Sequence, residues 1–173
     1  LYVFGTLADV EIRGADPAQS NAALAEVSAL LNQRQAEWHA WEESDLTRIN
    51  RALAAGGSAV APPSVVALIE RSRPLAEASE GLFDPAIGGL VAAWGFHTSR
   101  FPVMSPLPTD ATLAAWREQR PRITEVRIDG RSLSAPNPRT QLDFNAVAEG
   151  AVAEEIMAIL RRHGVHHALV NLG

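Results

Sequence analysis

At 173 residues, 47% of them hydrophobic, the chain can bury one sizeable core and reads as one domain or a piece of a larger one, which excludes a disordered tail. It has no cysteine, which excludes disulfides, thiolate metal sites and thiol-linked flavin, and it has no apolar run near about 18 residues that would span a membrane as a helix. Its formal charge is −5 and its fifteen basic side chains, all arginine, are scattered rather than striped, which argues against nucleic-acid binding and leaves an anionic ligand in need of a cation or backbone donors.

Residues 1–12 read as a strand, with Gly5 inside it to allow close approach of another group. Asp16-Pro17 then opens a helix whose apolar stripe is Leu24, Val27, Leu31 and Trp38. In the polar turn 41–50, Ser44 caps a short helix carrying Leu46 and Ile49. Gly56-Gly57 breaks the chain, and Pro62-Pro63-Ser64 starts a helix from 65 to about 79, kinked at Pro74 and stopped by Gly81. Asp84-Pro85 reads as N-cap and N1 of a helix running through Gly88-Gly89 to Trp94; glycines there imply close packing or a ligand over the backbone. A proline-rich connection (100–108) leads to a short helix at 109–120 and a hairpin at 123–135, turned at Asp129-Gly130.

Residues 142–155 are the most informative stretch. Leu142, Asp143 and Phe144 read as a short buried strand. Asn145 stands at an N-cap position, and Val147, Val152, Ile156, Ile159 and Leu160 mark one face of a helix closed by Gly164. A strand feeding a helix N-terminus directs backbone N–H groups and a positive dipole end at one point, where an anion can bind. A last strand begins near His166 and stops at the glycine turn of Gly173, which reads as a fragment. Helices interleaved with hairpin strands predict an α+β fold with an antiparallel or mixed sheet and packed helices.

Three fragments use residue types that plain scaffolding does not require. Gly81-Leu82-Phe83-Asp84-Pro85 with Trp94-Gly95-Phe96-His97 is either a capped helix with two core aromatics or an aromatic pair holding a flat heterocycle. The turn 41–50 is either a solvent-facing cap or part of the same site. Asp143 and Glu149 either serve the helix dipole or fix a ligand and position a hard cation. His163, His166 and His167 lack zinc-pair spacing, no G-x-S-x-G surrounds Ser44 or Ser64, and neither Rossmann nor P-loop signatures occur.

Taken in order, the fragments resemble the FAD:protein FMN transferase (ApbE) family. Phe4-Gly5-Thr6 corresponds to its M-G-T, and residues 44–50 (S-D-L-T-R-I-N) to its S-E-L-S-R-L-N. G-L-F-D-P with W-G-F corresponds to G-x-F-D-P…W-G-F, L-D-F-N-A-V-A-E-G to L-D-L-G-G-I-A-K-G, and V-N-L-G to V-N-A-G-G. The resemblance implies a T-fold-like architecture and transfer of FMN from FAD to a threonine of an acceptor flavoprotein, as a phosphoester, with magnesium and release of AMP. It implies that Phe4, Trp41, Trp94, Gly95 and Phe96 surround the flavin, that Asp143 and Glu149 contact FAD, and that the Ala146 carbonyl is a magnesium ligand. Phe4 replaces the methionine, Trp41 replaces a tyrosine, and the turn after Trp41 is one residue short; Glu149 stands where many members have lysine and others glutamate. Members continue past this glycine turn with Asp and Thr side chains that complete the metal site, so the piece alone is expected to be inactive. The family commonly works in the periplasm or at the outer face of the inner membrane, lipid-anchored or exported. The alternative reading is a non-catalytic FAD- or FMN-binding accessory protein in maturation of a respiratory complex.

Overall fold

In the computed structural model, which describes residues 1–4, 6–100 and 102–173, the chain is α+β, with six α-helices and small antiparallel sheets among the described residues. These residues form two compact units, Leu1–Ala36 with Val147–Gly173, and Glu37–Ala146. Among the described residues no helix is long and apolar enough to cross a membrane.

In the first unit, residues 1–12 do not make one strand. Tyr2–Val3 (β1) and Thr6–Leu7 (β2) pair antiparallel as a hairpin, with Val3 opposite Thr6. Phe4 turns the chain at φ 53°, the left-handed region that a two-residue hairpin loop requires. Gly5, predicted to allow close approach, lies outside the described residues. Asp9–Ile12 (β3) instead pairs antiparallel with the last strand, Ala168–Asn171 (β7), from Asp9 opposite Asn171 to Ile12 opposite Ala168. The helix predicted at Asp16-Pro17 is Pro17–Trp38 (α1), and the Asp16 carboxylate caps it by accepting from the Ala18 and Gln19 amides. Val27, Leu31 and Trp38 are buried as the spacing predicts, and Leu24 is half-buried. Asn145–Arg162 (α6) runs antiparallel to α1: Arg34 pairs with Glu155 at 2.6 Å, while Arg162 and His163 both reach Glu26. Val152, Ile156, Ile159 and Leu160 are buried, and Gly164, at φ 71°, closes the helix while the Val165 amide reaches the Leu160 carbonyl.

In the second unit, Ser44 caps Asp45–Ala54 (α2) through a reciprocal box with Thr47, burying Leu46, Ile49, Asn50 and Leu53. Ser58–Val60 (β4) follows the glycine break, too short to show an alternation of its own. It joins Ser132–Ser134 (β6), which also pairs with Arg127–Asp129 (β5), giving the order β4-β6-β5. Pro63–Ala78 (α3) and Asp110–Glu118 (α5, capped by Thr109) match their predicted spans. The predicted hairpin is shorter than expected, because Ile123–Glu125 forms a 3₁₀ turn.

Two readings are corrected around residues 84–88 and 141–145. The helix expected from Pro85 is only Gly88–Ala93 (α4), and Asp84 is not its cap. The buried Asp84 carboxylate accepts from the Ala86 and Ile123 amides, tying this loop to the 3₁₀ turn. The backbone of 85–88 is committed to a neighbour: Pro85 and Ala86 carbonyls accept from Asp143 and Gln141, and the Gly88 amide donates to the Gln141 carbonyl at 2.7 Å. Tertiary pairing therefore overrides the local helix signal. Residues 142–144, expected as a strand, are not in one; the β pairing beside them is the isolated parallel bridge of Gln141 with Ile87. Leu142 has an amide side chain as its partner: Asn50 accepts from the Leu142 N–H at 2.7 Å and donates to its carbonyl at 2.9 Å. Asn145, expected as the N-cap, is the first residue of α6, and the side-chain acceptor for its amide is Asp143 Oδ1 at 2.9 Å.

Candidate functional site

The turn after α1 is wound around a buried imidazole. His39 Nδ1 accepts from the Glu42 amide at 3.0 Å and from the Trp41 amide at 3.4 Å, and the Ser44 hydroxyl donates to the His39 carbonyl. Nδ1 is therefore the bare nitrogen of a neutral ring, with Nε2 facing the Glu42 carboxylate at 3.7 Å. Burial holds the His39 pKa below its usual value, and His97 adds to this; Glu42 and Asp143 oppose it.

This turn lays the Trp41 indole between two imidazoles. His39 meets it edge-on at 4.4 Å, and His97 stacks on it at 5.5 Å and 23°. His97 Nε2 lies 2.9 Å from Asp143 Oδ2, both side chains being less than a tenth exposed. With Oδ1 taken by the Asn145 amide, both Asp143 oxygens are engaged. Trp41, His97, Thr47, Arg51, Trp116 and Arg139 border a cavity of about 470 Å³, where the Arg139 guanidinium lies 5.6 Å over the Trp116 ring. The Trp41 Nε1 atom is buried and has no hydrogen-bond partner among the described residues, although an indole N–H normally finds one when buried. The wall thus offers flat aromatic surface and two guanidinium groups.

The structure brings Trp41 and Asp143 together through His97, which directly follows W-G-F in the chain and has no part in that motif. Trp94 and Phe96 are surface residues, 37% and 57% exposed, so the two-core-aromatic reading of this pair is corrected. Trp94 borders a separate groove of about 370 Å³ with Leu113, Arg117 and Arg120. Gly95, at φ 82°, leaves α4 where a Cβ would fall 2.6 Å from that of Ser105. Ala146 and Glu149 are exposed in the first turns of α6, Ala146 in the second unit and Glu149 in the first. Phe4, in the first unit, donates its amide to the Gln35 side chain at 2.7 Å. Sequence reasoning alone gives no role to His39 or Trp116, and it includes Asn50 and His97 only as the last residues of the 44–50 motif and of the Trp94-Gly95-Phe96-His97 fragment.

The sequence pattern of the ApbE family matches residues 4–173. The chain belongs to the ApbE family. It is 41% identical over 172 residues to an FAD:protein FMN transferase of Rhodobacter capsulatus, covering 99% of this chain and 32% of that protein. It is 34% identical over 178 residues to an FAD:protein FMN transferase of Treponema pallidum, covering 99% of this chain and 48% of the relative. The chain thus spans about a third to about a half of the length of these ApbE relatives. Among solved structures, the flavin transferase ApbE from Vibrio cholerae superposes with a TM-score of 0.83 at 24% identity, over 99% of this chain and 55% of that one; this likeness shows the ApbE fold.

Proposed function

We propose that the protein is a flavin transferase, which moves FMN from FAD onto a threonine of an acceptor protein. The threonine oxygen attacks the phosphorus of the FMN half, the bond from that phosphorus to the bridging oxygen breaks, and AMP leaves while the hydroxyl proton passes to solvent or a base. The observation that carries this reading is the Trp41 wall: an aromatic surface with two guanidinium groups lines a cavity of the size that takes one ring system, in a chain related to FAD:protein FMN transferases. Within the second unit, Trp41, Trp94, Gly95, Phe96 and Asp143 are the residues proposed for the flavin.

Magnesium would offset charge on the diphosphate in such a transfer. Among the described residues no group of three or more His, Cys, Asp or Glu is placed to hold a metal, and the Ala146 carbonyl is the one magnesium ligand that the resemblance puts within this chain. Asp143 has both oxygens engaged, by the His97 ring and the Asn145 amide. What these residues contribute is binding and orientation of the flavin.

Full-length protein incubated with FAD, magnesium and a threonine-bearing acceptor is expected to release AMP and to add the mass of FMN to the acceptor. Stable FAD binding without transfer would instead mark an accessory protein, and no flavin binding would overturn the reading. Omitting magnesium and adding EDTA tests the metal requirement in the same assay.

A further inference from the structure

Among the described helices α5 alone buries no residue. Yet Leu113, Trp116 and Arg117 on it, with Arg120 just beyond its end, recur at the spacing of one helical face. That face does not close on its neighbour. Between it and Leu90 and Trp94 of α4 lies the groove of about 370 Å³, whose apolar side chains stay half-buried or exposed. Apolar surface held open in this way marks a contact with another molecule.

Charge and position define what fits the groove. Arg117 and Arg120 make no ion pair among the described residues, whereas Arg13, Arg48, Arg51 and Arg162 each reach a carboxylate. The groove thus sets two uncompensated guanidinium groups beside an apolar floor, in a chain of net charge −5. The Trp116 indole is also a wall common to this groove and the Trp41 cavity. It packs on the α4 backbone, where a Cβ on Gly89 would fall 2.9 Å from the ring, and the Arg139 guanidinium lies 5.6 Å over it.

We propose that the groove docks the acceptor polypeptide. An apolar side chain of the segment around its threonine enters between α4 and α5, and carboxylates of that segment pair with Arg117 and Arg120. The inference deepens the flavin-transferase reading and rests on it. Transfer needs a second polypeptide beside the flavin, and a segment in the groove lies against the same indole that borders the cavity. Arg117 and Arg120 here select the acceptor and take no part in the chemistry.

The probe is a library of threonine-centred peptides with randomised flanks, presented to the full-length protein loaded with FAD. Parent, Arg117→Glu/Arg120→Glu and Leu113→Gln are compared. The parent should enrich Asp and Glu over Lys and Arg about tenfold, together with an apolar residue, and the doubly reversed variant should prefer Lys and Arg. In transfer assays with a peptide that the parent selects, the reversal and Leu113→Gln should each raise KM for the peptide about tenfold and leave kcat unchanged, the mark of lost docking. Replacing the acids of that peptide by Lys should restore KM in the reversed variant, a compensation that a folding defect cannot produce. FAD affinity should stay within about twofold of the parent, because none of the three residues borders the cavity. A parent without acidic preference, or a reversed variant that keeps it, would overturn the docking inference and leave the flavin reading standing. A parent dimer that the reversal dissociates would do the same, since a second copy then fills the groove. A parent that binds no FAD, or transfers FMN to no member of the library, would overturn both. Should the double variant fail to fold, Arg117→Gln and Arg120→Gln, which keep a helix-forming side chain, decide the question through the same KM.

Discussion

Asn50 carries out a task that strands usually perform. Its side chain pairs with both the N–H and the C=O of Leu142, a residue with no exposed surface, as a neighbouring strand would. Asn50→Ala therefore strands a donor and an acceptor inside the unit without removing any apolar packing. The expected loss is about 2–4 kcal/mol, from two buried polar groups at roughly 1–3 each. Urea unfolding checks this, and a change under about 0.5 kcal/mol would show that water reaches Leu142. This contact also marks what sequence can and cannot disclose at the residue scale. The caps Asp16, Ser44 and Thr109 are readable because each acceptor sits two or three residues from its amide. Asn50 and Leu142 are 92 positions apart, His97 and Asp143 are 46 apart, and no periodicity spans such distances.

The elements that follow the sequence are those whose stability is mostly local: α1, α2 and α3 open on a cap or a proline, and α6 keeps its apolar stripe although its expected cap, Asn145, is its first residue. Those that depart do so where one segment borrows another's hydrogen bonds. Residues 85–88 look like a helix start, but their carbonyls and the Gly88 amide are committed to Gln141 and Asp143. Gly88 is what permits the approach, since a Cβ there would fall 2.7 Å from the Gln141 carbonyl oxygen, a backbone atom that cannot swing aside. Gly88→Ala should cost about 1–3 kcal/mol from the forced backbone shift, which outweighs alanine's advantage of roughly 1 kcal/mol in a helix. Gly150 is the control. It lies within α6 with nothing inside 4 Å of its added Cβ, so Gly150→Ala should stabilise by about 0.5–1 kcal/mol. Denaturant midpoints of the two variants should move in opposite directions; movement in the same direction would refute the claim that packing, rather than propensity, decides at Gly88.

At the scale of the whole chain, the family is legible because five motifs occur in order across it, whereas its response to pH is written in the geometry. Burial is the leading cause holding His39 below its ordinary 6.5, while the His163 hydrogen bond holds Glu26, and the Arg51 hydrogen bond holds Glu43, below their ordinary 4.5. In all three cases the unfolded chain takes up the proton first as pH falls, so these groups together make stability decline with acidification. The His39 contribution is intact above about pH 6.5 and is lost as pH drops through the folded-state value below it; the two glutamates act only below about pH 4.5. Their causes separate the two windows further. The glutamate pairs are exposed and screened by salt, whereas the His39 effect comes from desolvation and persists in about 1 M NaCl. His39→Asn can still offer a side-chain acceptor to the Trp41 and Glu42 amides but does not titrate. Urea midpoints measured from about pH 8 to pH 4 should fall for the parent between roughly pH 7 and pH 5 and stay level there for His39→Asn, with salt flattening only the step below about 4.5. A parent that is level across the upper window, or a variant with the parent's slope, would mean that the imidazole beneath Trp41 is charged and that the neutral ring assigned to it is wrong.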